Sequence, residues 1–373
     1  MPVSISGTNG VTFPDGSLQT AAASPLVLRN RIINGAMQID QRNAGAEITP
    51  TDGQYTLDRW VCFQSQASKY KFQQNAGSVT PPLGFTNYAG ITSLSSYSVL
   101  SGDYNIFRQV IEGYNVADLG WGTANAKTIT ISFWVRSSLT GTFGGSLQNS
   151  AQDRNYPFTY TISSANTWEQ KTVTIAGDTS GTWLTTNGYG IVLNFGIGIG
   201  STYSGTAGAW GATTYYSATG ATSVVGTSGA TWYVTGVQLE QNTSATPFER
   251  RLYGQELANC QRYYFKVAPG SGGYLTETAF AISTTGAYGA NKFPVTMRAA
   301  PTSLQQSGTA GDYRIVRCGA AGSTTCSAVP TFATATVDRA FTSFAVSSGL
   351  SNSSAGAMDA AGANAFLAWS AEL

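Results

Sequence analysis

Thr231-Trp232-Tyr233-Val234-Thr235-Gly236-Val237-Gln238-Leu239-Glu240 sets large apolar side chains against small or polar ones, the period of a half-buried strand. It reads as the closing strand of a sandwich. Behind it, Gln241-Asn242-Thr243-Ser244-Ala245 is polar and turn-forming, so the chain leaves its sheet there. Thr246-Pro247-Phe248-Glu249 then offers an N-cap threonine, a proline at the first helical position and a capping-box glutamate. Leu257, Cys260 and Tyr264, with Tyr253 ahead of them, recur at helical intervals. A short helix is expected to join the β region before it to whatever follows.

Working outward, Asn30-Arg31-Ile32-Ile33-Asn34-Gly35-Ala36-Met37-Gln38-Ile39-Asp40-Gln41-Arg42 reads as an opening strand, partner to the strand ending at Glu240. Between the two lie strand-forming runs bounded by Gly, Asn, Asp, Pro or Ser: 57–63, 70–74, 104–111, 128–136, 156–162, 169–175 and 190–198. Ile129, Ile131, Phe133 and Val135 share one apolar face. Beyond the helix, strands are expected at 274–283, 292–297, 313–317, 331–337, 343–346 and 365–373. A chain of 373 residues holds two such domains. Its 43 glycines and 12% aromatics suit short strands and tight turns. The predicted class is all-β: a jelly-roll β-sandwich, a short connecting helix and a second, smaller C-terminal β-sandwich domain.

The run Thr235 to Glu240, followed by Thr246-Pro247-Phe248-Glu249 and Glu256-Leu257-Ala258-Asn259-Cys260-Gln261-Arg262-Tyr263-Tyr264, resembles the seam of many bacteriophage tail-fibre proteins. The similarity extends over most of the chain and is strongest at 30–43 and 232–264. It implies a jelly roll like those of carbohydrate-binding modules before the seam and a distal β domain after it. Val11-Thr12-Phe13-Pro14-Asp15-Gly16-Ser17-Leu18-Gln19-Thr20 resembles short units of trimeric fibre shafts. This implies an attachment or trimerisation peptide carried by Val11, Phe13, Asp15 and Leu18, a loose tail being the alternative. The expected organisation is an attachment peptide at 1–27, a jelly roll at 28–245, the helix at 246–266 and the distal domain at 267–373. The peptide and the stripe Tyr253, Leu257, Cys260, Tyr264 are each too small to be covered alone, so a homotrimer is expected. The partners implied are tail proteins at the N-terminus and a host-surface glycan, with the virion as location after synthesis in the host cytoplasm. A head fibre or capsid decoration protein would share this fold.

Charged residues make up 10% of the chain and the net charge is +1, so neither nucleic acid nor an anionic membrane is an expected partner. No apolar run reaches the length of about 20 residues that a membrane span needs. The sequence contains no histidine, which excludes histidine bases, triads and metal ligands. A polysaccharide depolymerase using a carboxylate pair stays open in principle. However, Asp15, Asp52 and Asp178 stand in turn sequences, Glu249 reads as a helix cap, and Asp58 beside Arg59 reads as a local ion pair. Asp40 and Glu240 are distant candidates for the calcium that jelly-roll modules often hold, and neither a metal nor another cofactor is expected. Cys318 and Cys326 could face each other across a turn or stay as thiols. What remains is aromatic and small-polar surface, which suits sugars. Tyr203, Trp210, Tyr215 and Tyr216 form the densest cluster, as glycan-binding residues or as core. Loops of the distal domain, 267–273, 284–291 with Tyr288, 319–330 and 347–363, are expected to touch the host.

Overall fold

The computed structural model describes residues 4–6, 10–12, 18–19, 29–317 and 322–373. Its main body is a jelly-roll β-sandwich. One sheet runs in the order Asn155–Ile162, Gly141–Gln148, Tyr189–Ile199, Tyr104–Glu112, Trp60–Gln64, Gln54–Leu57. The other runs Glu169–Ile175, Ile129–Ser137, Thr231–Glu240, Ala89–Ser93, Tyr70–Gln74. The chain crosses repeatedly between the two sheets, and every pairing within them is antiparallel. Ile129, Ile131, Phe133 and Val135 are all fully buried between the sheets, as their alternation requires. Trp60 stacks on Phe107 at 4.9 Å and Trp232 packs beside Phe195 at 5.4 Å, so the aromatic centre of the core draws on both sheets.

The Thr231–Glu240 strand keeps its apolar side inward by a bulge. Its register slips between Thr235 and Gln238, and Gly236 there has φ of 62°. Trp232 and Val234 face the core before the slip, Val237 and Leu239 after it. Without the extra residue, the last two would point outward.

Several expectations are corrected. Residues 30–42 form no strand; Arg31 and Gly35 bond backbone to backbone with Leu239 and Val237, and the rest is irregular chain pinned by Asn34 and Asp58. The helix is Tyr253–Gln261, and Thr246 does not cap it. The Thr246 hydroxyl donates to Glu240, and the Glu249 carboxylate accepts the N–H of Asn30. Long-range partners thus hold 246–252 extended. Cys260 and Tyr264 are buried within this chain, while Tyr253 is exposed. Strands that escaped the sequence reading include Ala89–Ser93 and Gly141–Gln148 in the sandwich, and Gly286–Lys292 and Ala355–Ala360 beyond the helix, which fall in the stretches 284–291 and 347–363 expected as loops. Residues 293–297 are turn, the adjoining strand being Gly286–Lys292.

After the helix, a seven-stranded and a three-stranded sheet enclose a second, smaller core around Tyr313, Phe344, Met358 and Trp369. Charges lock this region to the sandwich. Arg59 pairs not with Asp58 but with Glu372, which also takes Arg42 at 2.7 Å. Glu112 accepts Arg262 at 2.6 Å and the Tyr263 hydroxyl at 2.5 Å. Ser4–Ser6, Gly10–Thr12 and Leu18–Gln19 make a small antiparallel sheet in which Val11 pairs with Gln19 and Leu18 with Thr12. Phe13, Asp15 and Cys318 lie outside the described residues.

Candidate functional site

The register of the six-stranded sheet sets up a row of side chains on the face turned away from the core. Tyr55, Val61, Arg108, Asn194, Ser146 and Pro157 are successive cross-strand partners. Their chain neighbours Trp60, Cys62, Phe107, Leu193, Phe195 and Leu147 belong to the core, so alternation sends this row outward. It contains no carboxylate.

Arg108 stands near the middle of the row. Its guanidinium lies over the Phe63 ring at 3.8 Å, yet it makes no ion pair or hydrogen bond among the described residues, and its Nε is buried without a partner. Burial holds its pKa below the usual arginine range, with Tyr55, Tyr189 and Tyr216 nearby only partly offsetting the effect. Phe63 in turn stacks on Tyr104 at 4.9 Å, and Tyr104 meets Tyr203 at 5.5 Å and Tyr216 at 5.3 Å. Four rings therefore close one side of the arginine. Burial raises the Tyr104 and Tyr216 phenols, which stay neutral hydroxyls.

On the other side runs a ladder of buried amides. Gln148 Nε2 donates to Asn155 Oδ1 at 2.6 Å, and Asn194 Nδ2 donates to Gln148 Oε1 at 2.9 Å. The ladder ends on Asn194 Oδ1, which accepts nothing among the described residues. Ser217 lies over this part of the sheet, and a Cβ on Gly196 would meet its Oγ at 2.8 Å. Glycine is required there so that the 201–222 segment can lie against the strands. The Ser217 hydroxyl is likewise buried without a partner. Unpaired buried polar atoms cost roughly 1–3 kcal/mol each, and both of these residues lie fully buried where the 201–222 segment meets the sheet.

The expected aromatic cluster is divided between three places. Tyr203 and Tyr216 join the rings beside Arg108. Trp210 belongs instead to a tryptophan corner with Trp121 at 5.3 Å, Trp183 at 5.5 Å and Tyr156 at 5.1 Å. There each indole N–H donates to a backbone carbonyl: Ala176 for Trp210, Lys127 for Trp121 and Ser180 for Trp183. The Tyr215 ring lies against Gly205, and Tyr288 meets Phe280 at 5.9 Å in the C-terminal seven-stranded sheet. Phe63, Tyr104 and Arg108 went unnoticed in the sequence. The signal was the charge itself, set in the Tyr104–Glu112 strand on the face opposite Phe107.

Carboxylates elsewhere have structural partners. Asp178 takes Arg154, Asp359 takes Arg314 and Glu256 takes Arg251. Asp40 accepts the N–H groups of Asn43 and Gly45, and Glu240 those of Thr246 and Gln238. Burial pushes the Asp58 carboxyl up to about 6, against the pull of Arg42 and Gln41. A cavity of about 270 Å³ at Asn34, Glu249, Arg251 and Glu256 lies between the opening segment and the chain entering the helix, and another of about 270 Å³ at Arg42, Tyr55, Tyr264 and Lys266 lies on the seam between the two β regions.

No protein-family model and no curated protein sequence matches this chain. Among solved structures, it is similar to the enzymatically active domain of tailspike protein 4 of bacteriophage CBA120, at 13% identity and a TM-score of 0.31. That match covers 57% of this chain and 21% of the tailspike chain. A CBM4 module matches at 17% identity and a TM-score of 0.30, over 56% of this chain and 98% of its own. A family 11 carbohydrate-binding module from Clostridium thermocellum, in complex with a mixed-linked tetrasaccharide, matches at 11% identity and a TM-score of 0.27, over 53% and 98%. At such values the likeness adds nothing to what the strand order already shows.

Proposed function

We propose that the chain is a non-enzymatic attachment subunit of a phage tail fibre, and that it binds host-surface glycan across the outer face of its six-stranded sheet. The observation that carries this reading is the constellation on that face: four clustered rings and an arginine without a partner. Pyranose rings present C–H faces to aromatic rings and hydroxyls to amides. The seam resemblance supports the tail fibre over other carriers of the same fold. Trimeric assembly and attachment through residues 1–27 complete the proposal, and three linked copies would raise weak single-site affinity by roughly 10²–10⁴.

The test is adsorption of purified protein to host cells, comparing the native chain with Tyr104→Ala and Tyr203→Ala. Each should weaken adsorption about tenfold while the melting curve stays cooperative. A different result, in which both variants adsorb fully and exchange of residues 267–373 with another fibre moves host preference, would relocate binding to the C-terminal loops. Mass measurement at micromolar concentration checks the trimer, and a monomer would remove it.

A further inference from the structure

Arginine cannot shed its charge in a protein, so burying it without an anion is costly unless an anion arrives. Four other arginines illustrate the rule, while Arg136, Arg298 and Arg317 hold backbone carbonyls in place of a carboxylate. Arg59, Arg154, Arg262 and Arg314 each hold a carboxylate. Arg108 is half-buried on the outer sheet face, beside the part that the 201–222 segment covers, is stacked on Phe63, and holds none. Asp52, the acidic group with an electrostatic effect on it, accepts the Gln64 N–H at 2.8 Å and forms no ion pair with it. The stacking fixes the plane of the guanidinium, and the strand fixes its base, so its free edge is presented ready-made to a planar or tetrahedral oxyanion.

We infer that the glycan taken by this face is acidic: a sugar carrying an oxyanion, carboxylate or phosphate, seats that group on Arg108 while the ring beside it lies against Tyr104 and Tyr203. This inference rests on the glycan-binding reading of the same face and adds the ligand class. A neutral sugar would leave the guanidinium desolvated and unanswered. Charge-assisted hydrogen bonds of this kind correspond to about 10- to 100-fold in affinity.

The experiment is calorimetric titration of the full chain with three sets of oligosaccharides: uronic-acid-containing, the same compounds after carboxyl reduction, and phosphorylated. The native protein, Arg108→Gln, Arg108→Lys and Tyr203→Ala are compared. The expected result is tight binding of an acidic set, a loss of about 10- to 100-fold on Arg108→Gln, partial retention by Arg108→Lys, and weakening with added salt. Carboxyl reduction tests the point without altering the protein. If uronates lose affinity on reduction, the oxyanion is a carboxylate; if only the phosphorylated set binds, it is a phosphate; either supports the inference. Equal binding of reduced and acidic sugars, unchanged by Arg108→Gln but lost in Tyr203→Ala, overturns the acidic ligand and leaves the glycan face standing. Failure of every set to bind, or binding that neither Arg108 nor Tyr203 affects, overturns both.

Discussion

The seam between the two β regions and the open face beside Tyr104 use the same residue types and differ in whether charge is answered. Arg59 lies over Tyr263 at 3.5 Å, and Arg108 lies over Phe63 at 3.8 Å. For Arg59, burial alone pulls the pKa down, but Glu372, with Tyr263 and Tyr55, more than reverses it. For Arg108, burial prevails. A stacked arginine with a carboxylate is a rivet; Arg108 is stacked without one. The ion pairs of the seam hold the sandwich and the C-terminal sheets together, and on the sheet face the proposed acidic ligand would take the carboxylate's place.

The contrast can be broken most forcefully at Glu372. Glu372→Gln leaves Arg59 buried without a carboxylate, and urea unfolding should show a loss of about 3–5 kcal/mol. A loss below about 1 kcal/mol would mean that the seam does not depend on this pair.

Asp58 sharpens the seam side through pH. Its folded pKa of about 6 stands above the ordinary aspartate value of 3.8. The protonated form is therefore favoured by folding, so this contribution to stability is complete below about pH 4 and is lost as pH rises through about 6. A shift of that size is worth about 3 kcal/mol. Asp58→Asn should remove the corresponding fall between pH 4 and 7 in denaturant midpoints. Parallel pH profiles for the two proteins would contradict the burial assignment.

The tryptophan corner supplies a smaller effect and a control for aromatic content. Trp210→Ala should cost about 2 kcal/mol, less than a fully buried tryptophan, because its ring is partly exposed. Glycan titration should be unaltered, since the corner's indole N–H groups already have partners. The smallest expected effect is on the fold itself: Arg108→Gln should change unfolding free energy by less than about 1 kcal/mol in either direction, since no native ion pair is broken. A large destabilisation would make Arg108 a structural residue.

Much of the β fold was legible because alternation is local. Ile129 to Val135 and Trp232 to Leu239 announce which side faces a core without knowledge of what that core contains. Two of the missed strands, Ala89–Ser93 and Gly141–Gln148, are rich in glycine and weak in β-propensity. Their glycines answer to neighbours across the sheet: a Cβ on Gly90 would meet the Tyr233 ring at 3.1 Å and one on Gly145 would meet Phe158 at 2.6 Å. The helix start at Thr246 failed for a similar reason. Threonine, proline and glutamate satisfied a local capping rule, but Glu240 and Asn30 took the threonine hydroxyl and the glutamate.

By itself the sequence determined the all-β class, the position of the closing strand and the absence of histidine chemistry, because periodicity and composition act within a few residues. Tertiary structure alone decided which aromatics meet. It brought Phe63, Tyr104, Tyr203 and Tyr216 together from two strands and the 201–216 segment, sent Trp210 to a separate corner, and left Arg108 without the carboxylate that Arg59 has. A charge is answered or unanswered only once distant segments have packed, and no pattern along the chain records the outcome.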